Sequence, residues 1–233
     1  MGLSPISLAV GLLALTGPWP VSAGVHTVVL GRSVRGRQIV AQQLRGSGAT
    51  HVTLVVGCIH GNEPAGIAIA RALTRRAPDP RADLWIIPDL NPDGRVAGTR
   101  GNANGVDLNR NFPYRWRSLG PRGTAQYAGP RALSEPESRI ARALIRRLHP
   151  RVTIWFHQPL GLTDASGGDV RIERRFALRS GLPLHRLMRY PGSAPTWQDH
   201  RFRGATAFVV ELPAGRPAVA AVARYVAAVR AVE

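Results

Sequence analysis

Lysine is absent from this chain of 233 residues: all 31 basic side chains are arginine, set against 14 acidic ones, for a formal charge of +17. The arginines are scattered through predicted helices and loops without interleaved aromatics. That pattern argues against a single-strand nucleic-acid binder and reads as compositional bias, so no nucleic-acid partner is expected. A basic surface still favours encounter with an anionic polymer or peptide. Cysteine occurs once, at Cys58, which excludes an internal disulfide. Beside Ile59 it reads as a buried, inert thiol. Internal repeats are lacking too, and no apolar run approaches the ~20 residues needed to cross a bilayer, so stable membrane insertion is not expected. The apolar run at residues 6–15 has the length of a signal-peptide core, and Val21-Ser22-Ala23 ends in small residues as cleavage sites do. Residues 1–23 are therefore expected to be a signal peptide, although no basic side chain precedes the run, and the protein to be secreted or associated with the cell wall.

What is present suits one compact domain over residues 24–233, with 44% hydrophobic residues to fill a core. Residues 26–30 and 38–44 alternate as two strands around a Gly-Arg turn. Residues 52–56 form a β-branched run closed by Gly57, and 65–76 read as a helix with Arg71, Arg75 and Arg76 late in it, where they suit its dipole. A strand over 83–88 leads into a long stretch dense in Asn, Asp, Gly and Pro, which excludes a long helix or a central strand and, inside a compact domain, points to function. Ser134-Glu135-Pro136-Glu137 has the capping-box pattern and opens a helix through Leu148, ended by His149-Pro150. Residues 151–156 are a strand, 170–180 a helix, and 190–204 a loop without periodicity. A final strand over 206–210 delivers Glu211 at its end, before a C-terminal Ala/Val helix. Strands alternating with helices predict an α/β fold: a mixed, mostly parallel sheet with helices on both faces.

Chemistry concentrates at the ends of three predicted strands. His60 and Glu63 lie in a strand-to-helix loop at the carboxyl end of the first, which is where ligands bind in open α/β sheets. His157 follows the strand over 151–156, and Glu211 follows the last. A His with Glu three positions on is weak alone, arising by chance about one time in twenty at ordinary composition. The joint placement is stronger. A catalytic zinc takes three nitrogen or oxygen ligands and keeps one position open for water, so His60, Glu63 and His157 supply the count for one zinc per chain. Glu211 is left over as a base.

His60-Gly61-Asn62-Glu63, Asn91-Pro92-Asp93-Gly94, Asp107-Leu108-Asn109-Arg110-Asn111-Phe112, and the segments WFHQP around His157 and FVVELP around Glu211 resemble the zinc carboxypeptidases in order and character. The likeness covers about residues 31–215 and is greatest to the short bacterial branch, the murein peptide amidases that cut γ-D-glutamyl-diaminopimelate bonds. It implies a zinc carboxypeptidase-like α/β/α sandwich. It also implies that His60, Glu63 and His157 bind zinc, that Glu211 is general base and proton shuttle, and that Asp107 holds the first His by its other ring nitrogen. Asn109 and Arg110 match the pair that grips a substrate's terminal carboxylate. Arg100 matches the arginine that polarises the scissile carbonyl, with Arg95 as the alternative, and Tyr190 matches a mobile phenol. Thr196, Gln198 and Asp199 are candidates for a polar specificity pocket. The expected partner is a peptide or muropeptide substrate. The competing expectations are a general metallocarboxypeptidase, an N-acyl amino-acid amidohydrolase on the same fold, and a non-catalytic binder of cell wall or polyanion.

Overall fold

The computed structural model describes residues 24–233, and the expected signal peptide lies outside them. Eight strands make one mixed sheet in the order β1-β2-β4-β3-β5-β8-β6-β7. β1 (His26–Arg32) and β2 (Gln38–Arg45) are an antiparallel hairpin, and β2 pairs antiparallel with β4 (Ala82–Ile87). From there the centre is parallel: β4 with β3 (His51–Val56), β3 with β5 (Val152–His157), and β5 with β8 (Thr206–Pro213). β6 (Leu160–Asp164) runs antiparallel to β8, and β7 (Leu184–His185) completes the edge.

The central strands are buried on both faces, so they read as continuous apolar runs whose alternate residues enter different cores. Val55, Ile86, Ile154, Phe156, Phe208 and Val210 join one core, closed by α1 (Ala65–Leu73), α4 (Val170–Ser180) and α6 (Val219–Arg230). Leu54, Val56, Trp85, Trp155 and Val209 join the other, closed by α3 (Pro136–Leu148) and α5 (Ala194–Arg201). The expected three-layer sandwich is therefore present. By the same alternation His157 shares a face with Trp155, and Glu211 with Val209. Both catalytic candidates therefore look toward the α3 and α5 layer.

Several local expectations change. α1 ends at Leu73, leaving Arg75 and Arg76 outside the helix. The long Asn/Asp/Gly stretch contains a short helix, α2 (Pro92–Ala97), and a single 3-10 turn at Leu108–Arg110. The capping box at Ser134 does not form. Glu135 is the N-cap of α3 and makes no side-chain cap bond. The two acids are used at long range instead: Glu135 accepts from Asn102 and Asn104 at 2.7 and 2.8 Å, and Glu137 accepts from Asn102 at 2.9 Å and from the Val34 N–H at 3.0 Å. The expected loop at 190–204 contains α5. Glu211 lies inside β8 and not at its end, because β6 pairs alongside with Leu162 opposite Glu211. Among the described residues no helix is long and apolar enough to cross a membrane.

Candidate metal centre and substrate cavity

β3 ends at Val56, and the chain turns through 57–63 before α1 begins at Ala65. This turn is held at very close range. A Cβ on Gly61 would lie 2.0 Å from the Gly94 carbonyl carbon, so only glycine lets α2 pack against the loop that carries His60. Asn91 caps α2 by accepting from the Gly94 N–H, and its amide donates to the carbonyls of Ile59 and Arg100 at 3.2 and 3.3 Å. That one side chain ties the His60 loop to the segment bearing Arg100. Gln158 does the same on the other side: its N–H donates to Glu63 at 3.1 Å, its Oε1 accepts from the Ala65 N–H, and its Nε2 donates to Pro213 and Gly215.

Three ligand-type atoms converge there. Glu63 Oε2 lies 3.0 Å from Nδ1 of both His60 and His157, and the two Nδ1 atoms are 3.1 Å apart. All three residues are buried. A zinc bonded at about 2.0–2.2 Å to tetrahedrally disposed donors spaces them roughly 3.3 Å apart, close to the separation found. Two ring nitrogens and a carboxylate oxygen facing one another make a site that suits a cation, so these residues fit the metal. On the far side of the ring, His60 Nε2 lies 3.0 Å from Asp107 Oδ1, while Asp107 Oδ2 accepts from Arg100 Nε at 3.0 Å. Arg100 also donates to Glu63 Oε1 at 2.9 Å.

The electrostatics follow from this packing. Burial alone would push Glu63 up, yet hydrogen bonds from His157 and His60 outweigh it and hold the carboxyl well below its usual range. Asp107 is likewise driven up by burial but lowered on balance by His60 and then Arg100. Burial would lower His60, but Asp107 and Glu63 raise it. His157 is lowered to about 4, chiefly by burial, which favours the neutral imidazole a metal needs. Glu211 is raised by burial and by the charge of Glu63, and its Oε2 is buried with no hydrogen-bond partner among the described residues.

His60, His157 and Glu211 line one cavity of about 500 Å3, together with Arg100, Asn109, Arg110 and Tyr190. Arg110 is 5% exposed. Its Nη1 donates to the Asn109 carbonyl at 2.8 Å, its Nε has no partner among the described residues, and its guanidinium sits 4.0 Å from the centre of the Tyr190 ring. Asn109 accepts the Ala194 N–H at 2.9 Å, so the side chain beside Arg110 also seats the start of α5. Arg95 is paired with Asp89 and does not line this cavity, whereas Arg100 does. Thr196 and Asp199 line the cavity, but Gln198 does not: it is fully buried, with Nε2 donating to Thr153 Oγ1 at 2.8 Å. On α5 the intervening positions 197 and 198 turn into the core, a consequence of helical periodicity that a loop reading misses. Arg189, Asp164 and Ser166 also stand in the cavity wall, and nothing local in the sequence marks them out. Cys58 is buried, donates to the His60 carbonyl at 3.1 Å, and has its thiol pushed far up by burial and by Asp89, as an inert thiol should.

The profile of the zinc carboxypeptidase family matches residues 21–159, more than half of the chain. The chain belongs to the zinc carboxypeptidase family. The match spans His60, Glu63, Arg100, Asp107, Asn109, Arg110 and His157, while Tyr190 and Glu211 lie beyond it. As a zinc carboxypeptidase the chain is a zinc-dependent peptide hydrolase. It is 33% identical over 173 residues to murein peptide amidase A of Vibrio campbellii, covering 69% of this chain and 68% of that one. To murein peptide amidase A of Escherichia coli K12 it is 34% identical over 157 residues, covering 62% and 64%. The chain thus aligns with about two thirds of each relative's length. Among solved structures, the murein-tripeptide amidase MpaA from Escherichia coli O157 superposes with a TM-score of 0.69 at 26% identity, covering 93% of this chain and 96% of that one. Carboxypeptidase A from Helicoverpa armigera superposes at 0.72 with 21% identity, over 90% and 68%, and shares the fold.

Proposed function

We propose that residues 24–233 form the catalytic domain of an exported monozinc peptidase that hydrolyses the γ-D-glutamyl-diaminopimelate bond of cell-wall peptides. The observation that carries this reading is the likeness to relatives named for murein peptides, which spans nearly the whole of a solved amidase of the same size. Export rests on the apolar run at residues 6–15 and the small residues at 21–23.

In this reading Nδ1 of His60, Nδ1 of His157 and Glu63 hold the zinc, and Asp107 fixes the His60 ring through Nε2. Zinc, when bound, acidifies water and polarises a carbonyl. Glu211 takes the proton of the attacking water and returns it to the leaving nitrogen; its partly desolvated carboxylate, with Oε2 unpartnered among the described residues, is suited to both steps. Arg100 stabilises negative charge developing on the carbonyl oxygen. Arg110, with Asn109, holds the free α-carboxylate of the leaving residue, and Tyr190 backs the guanidinium by stacking on it.

The test is product identification by mass after incubating the zinc-loaded protein with L-Ala-γ-D-Glu-diaminopimelate, its α-linked L-Glu isomer and a peptide ending in Phe. Release of diaminopimelate from the γ-linked peptide, with kcat/KM orders of magnitude above the Phe peptide, is expected, because a site built for polar groups rejects ligands that leave them unpaired. Preference for the Phe peptide would make the protein a general metallocarboxypeptidase. No chelator-sensitive hydrolysis of any peptide would favour a non-catalytic wall binder.

A further inference from the structure

The chain after Arg110 and the chain leading into α5 enclose a second hollow, of about 440 Å3, beside the catalytic cavity. Arg189, Tyr190 and Thr196 line both and so form the wall between them, while Tyr114, Arg115 and Arg117 belong to the second hollow alone. Backbone bonds set its shape: the Phe112 N–H donates to the Gly192 carbonyl at 2.9 Å, and the Gly192 N–H donates to the Tyr114 carbonyl at 3.0 Å. Gly192 has a φ of 71°, and a Cβ there would lie 2.1 Å from the Arg110 carbonyl oxygen, an approach that only glycine permits. Tyr114 is fixed by stacking on His200, with ring centres 3.9 Å apart. Between Arg115 and Arg117 the chain is anchored by Trp116, whose Nε1 donates to the Ala128 carbonyl at 3.1 Å. The hollow is therefore built before anything enters it.

Arginine is common in this chain, and several arginines are already spent: Arg37, Arg45, Arg95, Arg100, Arg171 and Arg230 each pair with a carboxylate. Those around the hollow differ. No acidic side chain lines it, and the exposed Arg115 and Arg117 have no carboxylate partner among the described residues. Arg189 Nη2 stands 4.0 Å from Asp199 Oδ2, the longest ion pair among the described residues. Arg115 also holds a left-handed φ of 52°, a conformation that costs free energy in a residue with a Cβ and recurs at ligand sites. Guanidinium groups around one hollow repel one another until an anion enters. A single carboxylate would leave most of that charge uncompensated. A phosphate group brings about two negative charges at neutral pH and several acceptor oxygens, which guanidinium forks match bidentately.

We propose that Arg115, Arg117 and Arg189 form a binding site for a phosphate group, separate from the metal centre, with Tyr114 and Tyr190 as its side walls. The hollow is larger than one phosphate and its aromatic walls can cover an organic body, so free phosphate and a phosphate ester share the chemistry recognised. Neither the zinc ligands nor Glu211 takes part. The site therefore stands whichever peptide bond the protein hydrolyses.

The experiment is calorimetric titration of the zinc-loaded protein with inorganic phosphate, glycerol 3-phosphate and acetate, in the wild type, in Arg115→Gln, in Arg117→Gln and in the double variant. Phosphate also ligates zinc, but Arg115 and Arg117 do not line the catalytic cavity, so their replacement leaves that event in place and removes the one assigned here. A charged hydrogen bond is worth about tenfold or more in affinity, so each single variant should bind phosphate about tenfold more weakly at this site and the double variant should lose it. Acetate should bind at least about tenfold more weakly than phosphate. Glycerol 3-phosphate binding more tightly than inorganic phosphate would assign the site to an ester, and equal affinities would assign it to free phosphate. Isotherms that coincide in the wild type and the double variant, or acetate binding as well as phosphate, would overturn the proposal. Both substituted side chains are exposed, so the variants test the site without disturbing a packed core.

Discussion

His157 and Glu211 are opposite partners in the register of β5 and β8, two parallel strands whose sequences lie far apart. Register partners project to the same face, so one pairing brings a metal-ligand candidate and the candidate base side by side without any loop to position them. Sites carried by strands hold their geometry better than sites on loops. The remaining ligand candidates come from the short turn after β3, the strand on the other side of β5.

If the three converging atoms hold the zinc, His60→Ala and His157→Ala should each lose most of the metal. Asp107→Asn should weaken retention about 10- to 100-fold, since it upsets the partner of His60 Nε2. Metal content after dialysis against a graded chelator measures this. Unchanged zinc in both His variants would remove the site.

Glu211→Gln should retain zinc and fold while losing at least about 100-fold in kcat, the usual scale for a general base. The base works ionised, so activity should fall as pH drops through its titration; burial and Glu63 raise that pKa in the metal-free protein, and the charge of a bound zinc opposes them. A pH profile of kcat/KM locates that acid limb. Near-normal turnover in Glu211→Gln would end its assignment as base.

Arg110→Ala should cost about 2–5 kcal/mol in kcat/KM on substrates with a free terminal carboxylate, because a buried charged pair loses one member. Amidated substrates should be affected far less. Measuring both separates binding from folding, since equal losses would mean that Arg110 serves the packing of Asn109 and Tyr190.

Glu173 provides a pH test of stability. Its pKa is raised from 4.5 to about 8 in the folded protein, so between those values the folded state keeps a proton that the unfolded state releases. Stability should therefore decline as pH rises through that window, and Glu173→Gln should flatten the decline while keeping an acceptor for the Gly167 N–H. Thermal midpoints recorded from pH 5 to pH 8.5 decide it, and parallel slopes in both proteins would contradict the expectation.

The sequence by itself determined the layered α/β plan and which polar residues follow the apolar strand runs. Residues 52–56 and 151–156 are apolar runs of strand length, and helical segments punctuate them; such patterns act within a few residues and need no knowledge of the rest of the chain. The same locality put His60 and Glu63 in the loop after one strand, His157 at the close of another and Glu211 after the last, although pairing with β6 carries β8 on to Pro213. Tertiary structure alone decided what depends on partners remote in sequence. Arg95 is taken by Asp89, leaving Arg100 to bridge Glu63 and Asp107. Glu135 and Glu137 read as helix-capping acids, yet Asn102, Asn104 and the Val34 N–H claim them from across the fold. α5 has no clear apolar stripe, and its first N–H is accepted by Asn109, 85 positions away. With that helix hidden, its inward Gln198 and its cavity-facing Asp199 could not be told apart. Neither could Arg189 be singled out among 31 arginines, because its meaning comes from the residues of two cavities that the fold brings beside it.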